Sequence, residues 1–522
     1  MIQRFERFLS SHAAIALALV SSMVWGFWSV PLFDLDEGAF TEATREMIAS
    51  GNYISIYLNG EPRTDKPILI YWLQAASVHL FGLNEFALRL PSVLAGIAWV
   101  WALFAFARRH ADKATATVAA LLLALSVYVG LIGKAAIADA LLNLFLALAM
   151  FDIYSHYLRP SRALHLRVFL WLGLGFLTKG PAAVVFPMLV SGLFYLSYGR
   201  WREWLRLTFD PVGLLLFVAI VLPWHVAVYL DSGWTFFEGF YLHHNVARYS
   251  DPMEGHGGGI FYYVVAAPLI LMPFAGWFLL GLARLREAMS SPLDRFVWLW
   301  FFVVLLVFSL SGTKLPHYLL YGMTGVVLLL AKYRDAIRNP WVGLVPPLLL
   351  FALLAALPQL FGHLAAGTDR VYEQSLFAAA AGKFAGWPQV VAVFVFMLAA
   401  AAVCLKTALW RRLLLLGFLQ AVLMAGWVVP GIADVLQAGP KAAALHAREH
   451  GKQLVFYRVF QPSVSVYREQ VIRREPAQPG QWVYTRVDRA DKYLAEPSPY
   501  RKEVVFSQPP AVLIAVDEQR GR

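Results

Sequence analysis

Three carboxylates, Asp34, Asp36 and Glu37, stand within four residues directly after the first long apolar run, and Asp65-Lys66-Pro67 closes the same polar stretch. Charged groups beside a bilayer are costly to place and mark head-group binding or chemistry. A carboxylate in such a loop can act as a general base or orient an acceptor. Capping of a helix expected over 39–49 accounts for Asp36 or Glu37, but not for three acids together. Asp139 is a further candidate, about one turn inside the start of another apolar run. The nearest cation, Lys134, is five residues away, poor spacing for a helical ion pair. Cations come from separate stretches: Lys66 before Pro67, Lys179 in Thr178-Lys179-Gly180-Pro181, Arg248 in HHNVARY, and Lys314 in SGTKLPHYLL with His317 and Tyr318 one turn on. Gathered on one face they make an anion site, with phosphate the natural occupant. Head-group anchoring accounts equally well for Lys179 and is the lesser alternative for Lys66. His243 with Asp65 or Glu37 could ligate a divalent ion, although a lone histidine is more often a hydrogen-bonded structural group. No P-loop, GxSxG elbow or paired-cysteine zinc motif is present, so ATP is not indicated as an energy source.

The elements that must position these groups are membrane spans. The chain has 522 residues, 59% hydrophobic and 15% charged, against about 45–50% and about 25% in soluble domains. The net charge of +11 comes from Lys and Arg clustered in short connections, the positive-inside pattern rather than a nucleic-acid face. Cys404 permits no internal disulfide. About 20 apolar residues cross the hydrocarbon core. Spans are expected at 13–33 (retained rather than cleaved as a signal), 86–107, 115–132, 135–157, 168–178, 182–198, 212–230, 260–282, 296–311, 315–331, 342–361, 390–405 and 413–429. That is about thirteen, and charge bias keeps 68–81 as a helix in the outer interface. All the chemically interesting loops, 34–85 and 231–259 above all, then fall on the outer side. After 438 the composition shifts to strand-like and short helical segments, a small α/β domain placed outside. The expected architecture is therefore mainly α: a transmembrane domain over 1–437 and an α/β domain over 438–522.

The motifs also read together. Asp36-Glu37 with Phe40, Glu42 and Arg45-Glu46-Met47, then Asp65-Lys66-Pro67 with Tyr71-Trp72, then RLPS, TKGP, HHNVARY and SGTKLPHYLL, resemble the polyprenol-phosphate-sugar glycosyltransferases of the GT-C superfamily. The likeness is to the lipid A aminoarabinose transferases and the protein O-mannosyltransferases, and it covers roughly 33–330. Six motifs in family order are specific for the family, much less so for the substrate. The resemblance implies thirteen spans, a catalytic loop on the periplasmic side, and a bacterial inner-membrane location. It implies that Asp36 is the catalytic acid and Asp139 the second acid of the cavity. Lys66, Arg248 and Tyr318 match residues that hold the donor phosphate, and Asp65 and His243 a pair able to bind a divalent metal ion. Phe40 stands where the aminoarabinose enzymes tend to have tyrosine, and Asp65 where they tend to have glutamate.

The expected activity is sugar transfer from undecaprenyl phosphate to a lipid or protein acceptor, with inversion. Asp36, Asp139, Asp34 and Glu37 supply the carboxylates; Lys66, Arg248, Lys314 and Tyr318 hold the donor phosphate. The partners are the polyprenyl-phosphate-linked sugar, the acceptor and membrane lipids, with no nucleic acid and no certain cofactor. The competing class is a transporter or flippase of lipid-linked sugars, which needs polar residues near mid-membrane and on both faces. A scaffold whose tail binds a partner leaves the loop acids unexplained.

Overall fold

The computed structural model describes residues 8–9, 11–247, 258–283, 291–336 and 338–518. The chain is mainly helical and ends in a small sheet. Among the described residues five helices are long and apolar enough to cross a membrane, including Glu85–His110, Asp139–Leu158 and Pro211–Ser232; the count is eight if each of three bent pairs is one span. The run expected as one span at 115–132 is such a pair, Lys113–Leu125 and Val127–Lys134, bent by 68°. Ser126 breaks it by turning extended, and its hydroxyl donates to the Leu122 carbonyl. The Val127 amide freed by the break donates to the Met272 carbonyl at 3.0 Å, which also accepts from Gln420 at 3.2 Å. A broken helix inside a bilayer persists only with such substitutes, because lipid offers no hydrogen bonds.

The first expected span is shorter than its apolar run. Helical structure ends at Val24, and 25–35 is irregular. Hydrophobicity alone carried the expectation on to residue 33. Gly26, at φ +73°, turns the chain into a conformation other residues rarely adopt, and Pro31 lacks the donor a helix needs. The helix expected at 39–49 runs over Asp36–Ser50, so Asp36 and Glu37 lie in its first turn instead of before it. It ends at Gly51 in the left-handed conformation, a frequent helix stop. The helix expected in the interface is Leu69–Phe81, about 20 Å long at 1.5 Å per residue and too short for a hydrocarbon core of about 30 Å.

Two short strands, β1 (Tyr57–Leu58) and β2 (Glu61–Pro62), form a hairpin against helix Asp36–Ser50. Glu46 on that helix binds the Asn59 and Gly60 amides at the hairpin turn. The C-terminal unit carries β3 (Leu454–Phe456), helix Pro462–Arg468, β4 (Trp482–Arg486), helix Val487–Ala495, β5 (Tyr500–Gln508) and β6 (Ala511–Glu518). The sheet order is β3-β4-β6-β5, parallel only between β3 and β4. The division drawn at 437/438 falls inside one helix, Val429–Glu449. This helix runs on from the apolar segment Leu409–Leu423 and Met424–Val428 and packs on β5 and β6.

Candidate active site

What fixes the acidic turn is Glu37. The side chain is 4% exposed, and each oxygen accepts two hydrogen bonds. Oε1 receives Arg89 Nε and the Ala136 amide, both at 2.7 Å; Oε2 receives Arg89 Nη2 at 2.6 Å and the Phe33 amide at 2.9 Å. The other Arg89 donors go to the carbonyls of Phe27, Val30 and Pro31 at 2.8, 2.5 and 2.9 Å. One buried ion pair therefore organises the non-helical chain 27–33. Ala136 stands three residues before Asp139, so the pair also ties helix Asp36–Ser50 to the start of helix Asp139–Leu158. Expected among the reacting carboxylates, Glu37 is occupied as the bolt that sets Asp36.

Asp139 is 4% exposed and accepts from Lys179 Nζ at 2.7 Å and from the Tyr321 hydroxyl at 2.8 Å. His317 Nε2 lies 3.7 Å from the same oxygen. Lys179 also sits 5.1 Å from the Tyr318 ring centroid. On the hairpin side Arg63 grips Asp65 with two bonds, 2.6 and 3.1 Å, and lies 4.7 Å above the Phe40 ring. Phe40 stacks on Tyr71 at 5.5 Å, so this phenylalanine serves as a platform for Arg63. Lys66 donates to the Asp65 carbonyl and carboxylate at 3.0 and 3.2 Å.

These groups converge. Asp36, Lys66, Asp139, Lys179, His317 and Tyr318 line one cavity of about 840 Å³, closed on one side by Phe460, Arg473 and Arg474 of the C-terminal unit. A second cavity of about 380 Å³, walled mainly by apolar residues such as Trp25, Phe27 and Ile132, shares Leu35, Asp36 and Ile137 with the first. Asp36 thus borders both spaces. Among the described residues no hydrogen bond or ion pair engages its carboxylate.

Other expected residues sit elsewhere. The Asp34 carboxylate accepts from the Ser463 amide at 3.0 Å and from the Ser463 hydroxyl. Burial pushes that carboxyl up to about 7, against the pull of the Ser463 bonds. Lys314 is buried and donates to the Ser311 carbonyl three residues back; the residues lining the large cavity do not include it. The short hairpin lets the ammonium fold onto its own turn. Arg248 lies outside the described residues. Asp65 is held by two cations, and among the described residues no three His, Cys, Asp or Glu side chains group as a metal-ion cluster. His243, the other residue of the expected pair, is exposed. Arg63, Arg89 and Tyr321 went unassigned in the sequence, and Lys179, expected as an anion-site cation or an anchor, was not matched to Asp139. A signal existed for Arg89 and Lys179: a cation within an apolar run needs a buried partner.

The model of the dolichyl-phosphate-mannose-protein mannosyltransferase family matches residues 65–226. A protein of Aquifex aeolicus (strain VF5) is 29% identical over 343 residues, 65% of this chain and 77% of that one. The undecaprenyl phosphate-alpha-4-amino-4-deoxy-L-arabinose arabinosyl transferase of Aeromonas hydrophila subsp. hydrophila is 30% identical over 383 residues, 68% of this chain and 67% of its own. The crystal structure of ArnT from Cupriavidus metallidurans bound to undecaprenyl phosphate superposes with a TM-score of 0.77 at 19% identity, over 96% of this chain and 97% of that one. Fold, motif order and sequence identity thus agree: the chain belongs to the GT-C superfamily of polyprenol-phosphate-sugar glycosyltransferases, in the family that joins the lipid A aminoarabinose transferases to the protein O-mannosyltransferases.

Proposed function

We propose that this chain moves a sugar from undecaprenyl (polyprenyl) phosphate to a lipid acceptor of the lipid A type or to a protein, with inversion at the anomeric carbon. The reaction takes place at the periplasmic face of the bacterial inner membrane, in a protein of about thirteen spans whose residues 438–522 roof the site. The observation that carries this reading is the placement of Asp36 on the wall between a cation-bearing cavity and an apolar one. A sugar phosphate and a hydrocarbon chain can then meet at one carboxylate.

In this reading the polar cavity receives the sugar-phosphate end of the donor. Negative charge develops on the departing lipid phosphate, and preoriented cations there contribute most of the stabilisation. Lys66 and Tyr318, which line this cavity, take that part, joined by Arg248 on the strength of its motif alone; Lys179, held by Asp139 and Tyr321, adds fixed positive charge to the same wall. Asp36 withdraws the acceptor's proton or positions the acceptor. Asp139 keeps Lys179 and His317 in place and balances their charge.

Incubating the purified protein with polyprenyl-phosphate sugars should release free polyprenyl phosphate in step with acceptor glycosylation. Movement of intact lipid-linked sugar across vesicles without its cleavage would instead establish the transporter reading. Lys66→Ala should raise the donor concentration needed for half-maximal rate roughly ten- to a hundredfold, the loss of one charge-assisted hydrogen bond. An unchanged donor dependence would reduce Lys66 to a membrane anchor.

A further inference from the structure

Besides lining the cavity with Phe460, Arg473 and Arg474, the C-terminal unit sends a short helix, Pro462–Arg468, to the site, and three of its side chains reach the two segments that carry the reacting groups. Ser463, 1% exposed, gives its amide and hydroxyl to Asp34. One turn on, the Tyr467 hydroxyl receives the Leu32 amide at 2.8 Å and donates to Glu85 at 2.9 Å; Lys441 also pairs with Glu85. The chain is thereby held on both sides of Phe33, just before Asp36. From another side of the helix, Ser465 donates to Asn59 at 2.7 Å. Asn59 occupies the left-handed turn of the hairpin that leads to Arg63, Asp65 and Lys66.

Packing repeats the pattern. Val466 is buried in one apolar cluster with Leu32 and Ala136, residues that precede Asp36 and Asp139. At Gly38, a Cβ would collide with the Asp34 carboxylate and lie 2.7 Å from the Ser463 amide nitrogen. Helix Asp36–Ser50 therefore approaches the clasp as closely as a backbone can. Simple docking of two domains requires apolar area, not a buried carboxylate whose desolvation must be offset by hydrogen bonds.

We infer that helix Pro462–Arg468 is a positioning element for the reaction: through Ser463 on Asp34 and Ser465 on Asn59, it sets the Asp36 loop and the Lys66 hairpin in their working register. Asp34 is then a positioning residue whose oxygens face the C-terminal unit. The inference rests on the transfer reading only where turnover is the measurement.

The test uses the full chain in lipid nanodiscs, with Asp34→Ala, Asp34→Asn, Ser463→Ala and the Asp34→Ala/Ser463→Ala pair. Asp34→Ala and Ser463→Ala each lower kcat tenfold or more and leave the donor KM within twofold. The double variant is no slower than the slower single, as two halves of one contact require. Asp34→Asn, which still accepts the Ser463 amide, keeps at least a fifth of the parental kcat. Hydrogen exchange over 32–40 and 57–62 rises at least fivefold in Ser463→Ala combined with Ser465→Ala, reporting local loosening without any turnover. An Asp34→Asn as slow as Asp34→Ala would make Asp34 a reacting group and overturn the inference. So would multiplied losses in the double variant, or unchanged exchange at both segments. An inactive parental protein with the exchange response intact would sink the transfer reading and leave the clasp standing.

Discussion

Asp36→Asn should abolish sugar transfer, with kcat falling about 10²–10⁴-fold, the usual contribution of a positioned general base. The variant should stay inserted and folded, with donor binding within twofold. The argument for so clean a separation is local. Among the described residues nothing hydrogen-bonds the Asp36 carboxylate, so its amide isostere leaves no partner stranded. The turn itself is set by Glu37 next door. The folding cost is at most the loss of one charge at a helix N-terminus, about 0.3–1 kcal/mol. Glu37→Gln, one residue away, should show the opposite: impaired stability and loss of ordered site, because it removes half of a buried pair. Product release by Asp36→Asn at the parental rate would take Asp36 out of the chemistry. A fall confined to acceptors that arrive as alcohols, and absent with phosphates already ionised, would identify proton removal as its task.

How much of this was legible in the chain depends on the distance over which each feature is encoded. The α/β order of the C-terminal unit was readable because alternation and turn residues act within a few positions. The convergence of Asp36, Lys66, Asp139 and Tyr318 on one cavity followed from placing their loops on one face of the membrane. Lys134 was correctly denied to Asp139: it lies 3.4 Å from the Trp25 carbonyl. The true partner, Lys179, comes from 40 residues on, and no local period announces it. For the same reason Lys314 promised a phosphate ligand but folds onto Ser311, since hairpin geometry, not residue type, decides where an ammonium points. Hydropathy overran the first helix and missed the bend at Ser126 because it counts apolar side chains and is blind to carbonyl partners. Ser463 lies 429 residues from Asp34; a serine at a helix start reads as a cap until the fold brings a carboxylate to it.

Arg89 is the clearest case of a residue quoted within a motif whose task only the fold reveals. Its five N–H donors are all engaged, two by Glu37 and three by the carbonyls of Phe27, Val30 and Pro31. Arg89→Ala leaves a buried carboxylate without its counter-ion, which costs about 3–5 kcal/mol, and each stranded carbonyl adds about 1–3 kcal/mol unless water reaches it. Folded proteins hold only about 5–15 kcal/mol in reserve. Arg89→Ala should therefore be recovered in low yield, or with a large drop in thermal midpoint and no ordered Asp36 loop. Arg89→Lys should fare little better, since an ammonium offers three donors from a point and cannot fork across a carboxylate while reaching three carbonyls. Removing both charges distinguishes burial of a lone ion from general loss of packing. Arg89→Met with Glu37→Met should be more stable than Arg89→Met alone, because the penalty lies in the unpaired ion. Equal midpoints for those two variants would mean that the carbonyl bonds, and not the carboxylate, carry the anchor. A midpoint for Arg89→Ala within about 2 °C of the parent, where about 1 kcal/mol moves a chain of 150–250 residues by about 2–4 °C, would mean that the loop bearing Asp36 is held by something other than this pair.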